Sequence, residues 1–97
     1  MKRVFISQPM RDRSKEDILL ERNIAIRKLV EMFGSVKVLD TVFESGMTPV
    51  EALGESIKYL SKADIAVFLP GWDEARGCRV EYRVCLEYGI PMFQLKF

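Results

Sequence analysis

The 97-residue sequence contains no histidine, and this absence excludes several kinds of active site. Ser-His-Asp and Cys-His nucleophile systems need an imidazole base, and most zinc sites need imidazole ligands. Cysteine is also scarce, since only Cys78 and Cys85 are present. On one helix they would lie about 10 Å apart along the axis, too far for a disulfide, so we expect reduced thiols. Any chemistry must therefore use carboxylates, arginines, hydroxyls or backbone groups, and we expect no metal and no cofactor.

Long apolar runs and an excess of one charge are missing as well. No stretch approaches the roughly 18 apolar residues that a membrane span needs, and the apolar part of the N-terminus is too short for a signal peptide. The formal net charge is +1, which argues against electrostatic capture of nucleic acid or of an anionic membrane. We therefore expect a cytoplasmic protein with no membrane partner and no nucleic-acid partner.

Short apolar runs alternate with helix signals along the chain. Strands are predicted at 3–7, 36–39, 64–69 and 91–96, and helices at about 15–33, 49–62 and 76–88. Ser14 and Thr48 are the expected N-caps, and Gly34 and Gly89 are the expected stops. Near-continuous apolar strands that alternate with helices are typical of a parallel sheet covered on both faces. The sequence therefore predicts one domain over 1–97, an open three-layer α/β/α sandwich around a four-stranded parallel sheet.

Polar and aromatic residues follow the predicted strands at their carboxyl ends, where open parallel sheets bind ligands. Ser7, Gln8 and Met10 follow the first strand, and Gly71 and Trp72 follow the third. An indole in this position can stack on a base or a sugar, or it can simply plug the loop. Both interpretations of Trp72 stay open at this point.

Asp40 follows the second strand and also has two interpretations. An acid in this place can hold ribose hydroxyls. An aspartate that caps a turn is the more common case. Because Asp40 interrupts the apolar run, a continuation of the second strand through 41–43 stays open.

The third predicted helix carries a carboxylate on its inner side. At about 100° per residue, Glu81 falls within the arc that should face the sheet. The other members of this arc are Cys78, Tyr82, Cys85, Leu86 and Gly89, flanked by Val84 and Tyr88. A buried carboxylate needs hydrogen bonds or a charged partner. Glu81 is therefore a candidate catalytic group, while an acid favoured by the helix dipole and one half of a buried ion pair stay open as structural alternatives.

The first predicted helix has a similar misplaced charge, Arg22. Its apolar arc comprises Ile18, Ala25, Ile26, Leu29 and Phe33, and Arg22 projects from the middle of it. Either the side chain snorkels, with a packed stem and a free head, or it binds an anion or an acid such as Glu81. On the polar side of this helix, Leu20 and Ile24 form an apolar pair that indicates a subunit contact.

Two small side chains are weaker candidates. Cys78, near a helix N-terminus, could have a lowered thiol pKa, although a buried inert thiol is the more common case. Ser56 faces inward on the second helix, where small serines usually only pack. Phosphate-binding sequence motifs are missing, since neither G-x-G-x-x-G after the first strand nor a Lys-Ser/Thr phosphate loop is present.

Several segments together resemble a branch of small bacterial and phage proteins. These look like compact relatives of nucleoside 2-deoxyribosyltransferases and nucleotide N-glycosidases. The segments are FISQPM at 5–10, Arg22, SKADIAV at 61–67, PGWDEARGCRVE at 70–81 and YGIP at 88–91. The resemblance covers nearly the whole chain and is more distant for the characterised enzymes than for the small branch.

The resemblance implies a flavodoxin-like parallel sheet, often in a homo-oligomer, and a glutamate nucleophile that attacks the anomeric carbon of a sugar. Glu81 occupies the matching place, and Ser7 and Gln8 would line the sugar or base. A phosphate would need backbone amides at a helix start such as Gly77, or Arg11, Arg76 or Arg79. Ser56 stands where the similar enzymes carry an aspartate, and the glycine-rich approach to the glutamate is changed as well.

Three functions follow, in order of expectation. The first is a nucleoside or nucleotide N-glycosidic enzyme with Glu81 as nucleophile and Arg22 as its orienter or as an anion contact. The second is a non-catalytic protein that senses or sequesters a nucleotide, which Ser56 in place of the aspartate favours. The third is a small structural or interaction protein with no pocket.

Overall fold

The computed structural model describes residues 1–42 and 46–97, and within these ranges the predicted alternation of strands and helices is confirmed. The elements in chain order are β1 (Lys2–Ser7), α1 (Lys15–Phe33), β2 (Val36–Val38), α2 (Pro49–Leu60), β3 (Ile65–Phe68), a 3-10 turn (Trp72–Glu74), α3 (Arg76–Tyr88) and β4 (Met92–Gln94). The four strands form a single parallel sheet in the order β2-β1-β3-β4. This is the α/β architecture of flavodoxin-like proteins.

Local capping chemistry fixes where the helices begin. The Ser14 hydroxyl accepts a hydrogen bond from the Asp17 backbone amide at 3.0 Å, as the sequence predicts for an N-cap. Thr48 and Glu51 form a reciprocal capping box, with bonds of 3.1 and 3.0 Å, and Pro49 takes the first helical position. Each such cap is worth about 1 kcal/mol, so these boundaries are encoded locally.

The element ends differ from the predictions by one or two residues. The strand β2 stops at Val38 and is not continued at 41–42, while residue 43 lies outside the described residues. The helix α2 ends at Leu60 rather than at 62. The strand β3 begins at Ile65, and the Asp64 carboxylate just before it accepts a hydrogen bond from the Arg3 amide at 2.7 Å. The 3-10 turn was not predicted, since its three residues carry no periodic signal.

The strand order defines where a ligand site should lie. The chain leaves β1 for β2 on one side and later crosses to β3 on the other side of β1. The gap between the carboxyl ends of β1 and β3 is therefore the topological switch point, where open α/β sheets bind ligands. Ser7 and Phe68 are register partners at this point.

Each face of the sheet has its own core. One cluster packs under α1 and comprises Val4, Ile6, Ala25, Leu29, Val67, Leu69 and Leu95. The other packs against α2 and α3 and comprises Phe5, Leu39, Leu60, Ala66, Phe68 and Cys85. Side chains alternate between the two faces along β1. Ser7, two residues after Phe5, therefore points to the α3 face, and Gln8 comes next toward the α1 side.

Within residues 1–42 and 46–97, none of the helices combines the length and the apolar character required to cross a membrane.

Candidate functional site

Glu81 lies at the topological switch point, held there by the end of β1. The Ser7 hydroxyl donates a hydrogen bond to Glu81 Oε1 at 2.7 Å, and both residues are buried, with exposed fractions of 1% and 7%. Glu81 is in the second turn of α3, on the side that packs against the sheet. The helical wheel therefore identified its inward orientation correctly, and the carboxylate has a neutral hydroxyl as its hydrogen-bond partner.

The surroundings of Glu81 change its acidity. Burial raises the pKa of the carboxyl group from 4.5 to about 7, and the hydrogen bond from Ser7 opposes this shift only in part. At neutral pH the protein therefore contains comparable amounts of ionised and protonated Glu81. A carboxyl group in this range can act as nucleophile, base or acid near physiological pH.

Cys78 and Cys85 flank Glu81 on the inner side of α3 as free, buried thiols. Burial raises the pKa of each thiol to about 11, and the nearby Glu81 charge adds to this effect. The interpretation of Cys78 as an activated thiol is therefore wrong, and the inert buried thiol is confirmed. The predicted inner arc is also too wide, because Leu86 and Tyr88 are exposed.

Arg22 projects from α1, which covers the other face of the sheet, toward the carboxyl ends of β1 and β2. Its guanidinium donates hydrogen bonds to Gln8 Oε1 at 3.2 Å, to the Leu39 carbonyl at 3.2 Å and to Thr41 Oγ1 at 3.1 Å. The residue is 5% exposed. The snorkelling interpretation is therefore wrong, because the charged head is buried together with the stem.

The hydrogen bonds of Arg22 go to neutral oxygens, and among the residues that the structure describes Glu81 does not accept one of them. Burial lowers the pKa of the guanidinium, and the Asp40 charge partly opposes this. Arg22 instead ties the segment after β1, through Gln8, to the segment after β2, through Thr41. Arg22 thus holds these two segments together at the switch point.

Gln8 and Glu21 complete this polar network, and Glu21 was missed by the sequence analysis. The Gln8 amide nitrogen donates to the Ile18 carbonyl at 2.8 Å and to Glu21 Oε1 at 2.9 Å. Arg13 donates to the same Glu21 oxygen at 2.8 Å and to the Pro9 carbonyl at 2.9 Å. The signal that could have identified Glu21 is its place beside Arg22, one helical turn after Ile18.

An open cavity of about 650 Å³ lies over the carboxyl ends of β3 and β4. Its described lining comprises Glu21, Phe68, Pro70, Gly71, Trp72, Asp73, Gln94, Leu95, Lys96 and Phe97, and thus includes the predicted Gly71 and Trp72 but not Glu81, Ser7 or Arg22. The cavity lies near the Ser7–Glu81 pair, because Phe68 in its lining is the register partner of Ser7. Glu81, Ser7 and the cavity therefore lie at the same edge of the sheet, but Glu81 and Ser7 are not part of the described cavity lining.

Trp72 serves both as a loop plug and as a cavity wall. Its indole stacks on Tyr82, with ring centroids 4.4 Å apart and planes 10° apart, and Phe68 meets both rings edge-on at 5.4 Å. The preceding Gly71 has a φ of +87°, a conformation that glycine adopts without strain. Tyr82 was expected on the inner arc, but its partnership with Trp72 was not.

The remaining predicted site residues are more dispersed. Asp40 is exposed, and its carboxylate accepts a hydrogen bond from the Val42 amide at 3.1 Å, which confirms the turn-capping interpretation. Met10 is half-buried after β1, and Ser56 is half-buried on α2. At the start of α3, Arg76 is exposed and Gly77 is half-buried. None of these four residues lines the cavity as the structure describes it.

Residues 2–94 match the family model described as a domain of unknown function (DUF4406), and the chain belongs to this family. Comparison with curated proteins gives no significant match, and neither does comparison with solved structures.

Proposed function

We propose that the protein is a nucleoside or nucleotide N-glycosidic enzyme, of the 2-deoxyribosyltransferase or N-glycosidase type, with Glu81 as its nucleophile. One observation carries the proposal: a buried carboxylate, bound to Ser7 at 2.7 Å, lies at the switch point of the sheet. Its pKa near 7 leaves a reactive ionised fraction at neutral pH. The resemblance of the segments around Ser7 and Glu81 to nucleoside 2-deoxyribosyltransferases supports the same assignment.

The reaction needs a carboxylate that can bond to carbon. An oxygen of ionised Glu81 attacks the anomeric carbon, the bond from that carbon to the base nitrogen breaks, and the base leaves with the electron pair and takes a proton from water. The resulting glycosyl ester is then cleaved by water or by a second base, which regenerates the carboxylate. Ser7 holds one carboxylate oxygen, so that the other is oriented for attack.

Arg22 acts in this proposal as a positioning residue. It fixes Gln8, and Gln8 is the residue that follows Ser7. Through this chain of contacts, α1 holds the end of β1 and thereby the hydroxyl that orients Glu81. The expectation that Arg22 orients Glu81 by direct contact is replaced by this indirect one.

The second function, binding of a nucleotide without turnover, is favoured by two features. The cavity of about 650 Å³ has Trp72 in its wall, whereas Glu81 is not among its described lining residues. Ser56 stands where the similar enzymes carry an aspartate. In this function the cavity would hold the ligand and Glu81 would serve only the fold.

Two further expectations belong to the same proposal. Leu20 and Ile24 are 61% and 37% exposed on α1, which supports their use as a contact in a homo-oligomer. The proposed cellular location is the cytoplasm. The proposed small-molecule partner is a nucleoside or nucleotide.

Release of free base distinguishes the two functions. Wild-type protein, Glu81→Gln and the control Glu87→Gln are incubated with deoxynucleosides, their monophosphates and NAD, and the products are separated by chromatography. Glu87 is a suitable control because it lies on the same helix, exposed, in an ion pair with Arg83 at 2.9 Å. Release by wild type and by the control, but not by Glu81→Gln, supports the enzyme. Binding without release, retained in Glu81→Gln, supports the sequestering protein instead.

A further inference from the structure

The large cavity has one aromatic wall that is already fixed in place. Tyr82 stacks on Trp72 at 4.4 Å, and Phe68 packs edge-on against both rings. The half-buried indole keeps part of its surface for the cavity. The volume of about 650 Å³ falls within the range of small-molecule sites. A planar ring that enters this cavity can extend an existing stack at little entropic cost.

The same cavity has a fixed hydrogen-bond acceptor, Glu21, on its α1 side. Arg13 and Gln8 both donate to Glu21 Oε1, at 2.8 and 2.9 Å, and the Glu21 side chain is only 18% exposed. Arg13 is the ion-pair partner of Glu21, so two donors hold this side chain in one position. Glu21 accepts both of these hydrogen bonds, so it favours ligands that present an N–H group and disfavours those that present only oxygen at the same place.

The other polar residues of the cavity wall are less able to select a ligand. Asp73, Gln94 and Lys96 are exposed. Water and salt weaken the interactions of exposed groups, and their side chains must be ordered when a ligand binds. Glu21 is held before binding, so it contributes most to discrimination between ligands of equal size.

We propose that this cavity selects planar nitrogen heterocycles that carry an amino group, with Trp72 as the stacking surface and Glu21 as the acceptor of the amino N–H. The inference rests on the proposed function, because it names the class of base that the N-glycosidic enzyme would handle. Adenine and 1-methylhypoxanthine test it well, since both stack similarly, and the methyl group removes the ring N–H that hypoxanthine itself carries beside its oxygen. The same holds for cytosine and 3-methyluracil.

Trp72 provides the readout, because it is the only tryptophan in the chain. Its fluorescence is followed while adenine, 1-methylhypoxanthine, cytosine or 3-methyluracil is added to the full-length protein. We expect the amino-bearing base of each pair to bind at least about tenfold more tightly than its oxo counterpart, the range of a charge-assisted hydrogen bond. Equal affinities within both pairs, or no binding of any base, would overturn the proposal.

Two variants assign the discrimination to Glu21. Glu21→Gln should bring the affinity ratio close to one, because its amide accepts from Arg13 and Gln8 but also offers an N–H to an oxo group. Asp17→Asn is the matched control, since Asp17 lies one turn earlier on α1 and lines only a smaller neighbouring cavity of about 290 Å³. It should keep the wild-type ratio. If Glu21→Gln fails to fold, as judged by circular dichroism, the wild-type ratios still decide.

Free bases contain no glycosidic bond, so this test separates the inference from the proposed chemistry. Selective binding that Glu81→Gln retains, with no release of base from any nucleoside, would leave the inference standing and remove the enzyme. Glu81-dependent release with no preference between amino and oxo bases would do the reverse.

Discussion

The Ser7 hydroxyl lies 2.7 Å from the Glu81 carboxylate, although 74 residues separate them in the sequence. Ser7 ends the first strand and Glu81 lies in the second turn of the last helix, so the packing of that helix on the parallel sheet brings them together. The pair is buried, and Glu81 has a raised pKa because burial disfavours its charge. The buried Arg22 network lies beside this pair at the same edge of the sheet.

The stability of the protein should fall as the pH rises from about 4.5 to 7. Folded Glu81 titrates near 7 and unfolded Glu81 near 4.5, so folding binds a proton in this window. Protonated Glu81 is buried at a lower cost than ionised Glu81. The stability that this difference contributes is fully present below pH 4.5 and is lost as the pH rises through 7. Glu81→Gln removes this titration, so at pH 8 it should be more stable than wild type by up to about 2–3 kcal/mol. Urea unfolding at pH 4.5 and at pH 8 measures the difference. An equal stability gap at both pH values would contradict the account.

Loss of the Ser7 hydroxyl should raise the pKa of Glu81 further. Ser7 donates to the ionised carboxylate and so favours it, and Ser7→Ala removes this donor. We expect an upward shift of about one unit, the equivalent of one hydrogen bond. Carbon-13 chemical shifts of the glutamate carboxyl groups, recorded against pH, give the value. Ser7→Thr, which keeps a hydroxyl, is the control, and an unchanged or lowered pKa in Ser7→Ala would rule out the stabilising role of Ser7.

Replacement of Arg22 should destabilise the fold strongly. Arg22→Met leaves Gln8 Oε1, the Leu39 carbonyl and Thr41 Oγ1 without their donor in a buried place. We expect a loss of about 3 kcal/mol in the free energy of unfolding. Arg27→Met, on the exposed side of the same helix, should change it by less than about 0.5 kcal/mol. Denaturant titration compares the two, and similar small losses would show that the Arg22 contacts do not contribute.

Both thiols should react slowly in the folded protein. Cys78 and Cys85 are buried, and their pKa values are raised to about 11, so little thiolate is present at pH 8. Reaction with an aromatic disulfide reagent should be at least roughly tenfold slower in buffer than in denaturant. A fast reaction of one thiol in the native protein would mean that the α3 side of the site opens readily.

Local signals allowed much of the fold to be predicted. Ser14, Thr48 and Gly89 mark helix ends through capping chemistry that depends only on neighbouring residues. The inward orientation of Glu81 and Arg22 follows from helical periodicity, which is also local. The strand ends were less certain, because a strand stops where its pairing with the neighbouring strand stops, and that pairing depends on residues far away in the sequence.

The partners within the site could not be predicted in the same way. Periodicity shows that Arg22 points inward but not that Gln8 and Thr41, from two different loops, receive its hydrogen bonds. The stack of Trp72 on Tyr82 depends on an unpredicted 3-10 turn. Such contacts arise from the packing of separate elements, for which a single sequence offers no pattern.

The most direct test of the central claim is the mass of the intact protein after brief mixing with a deoxynucleoside substrate. Wild type should gain the mass of one deoxyribosyl group, mapped by peptide analysis to Glu81, and Glu81→Gln should gain none. Base release by Glu81→Gln at the wild-type rate, with no adduct on either protein, would contradict that claim.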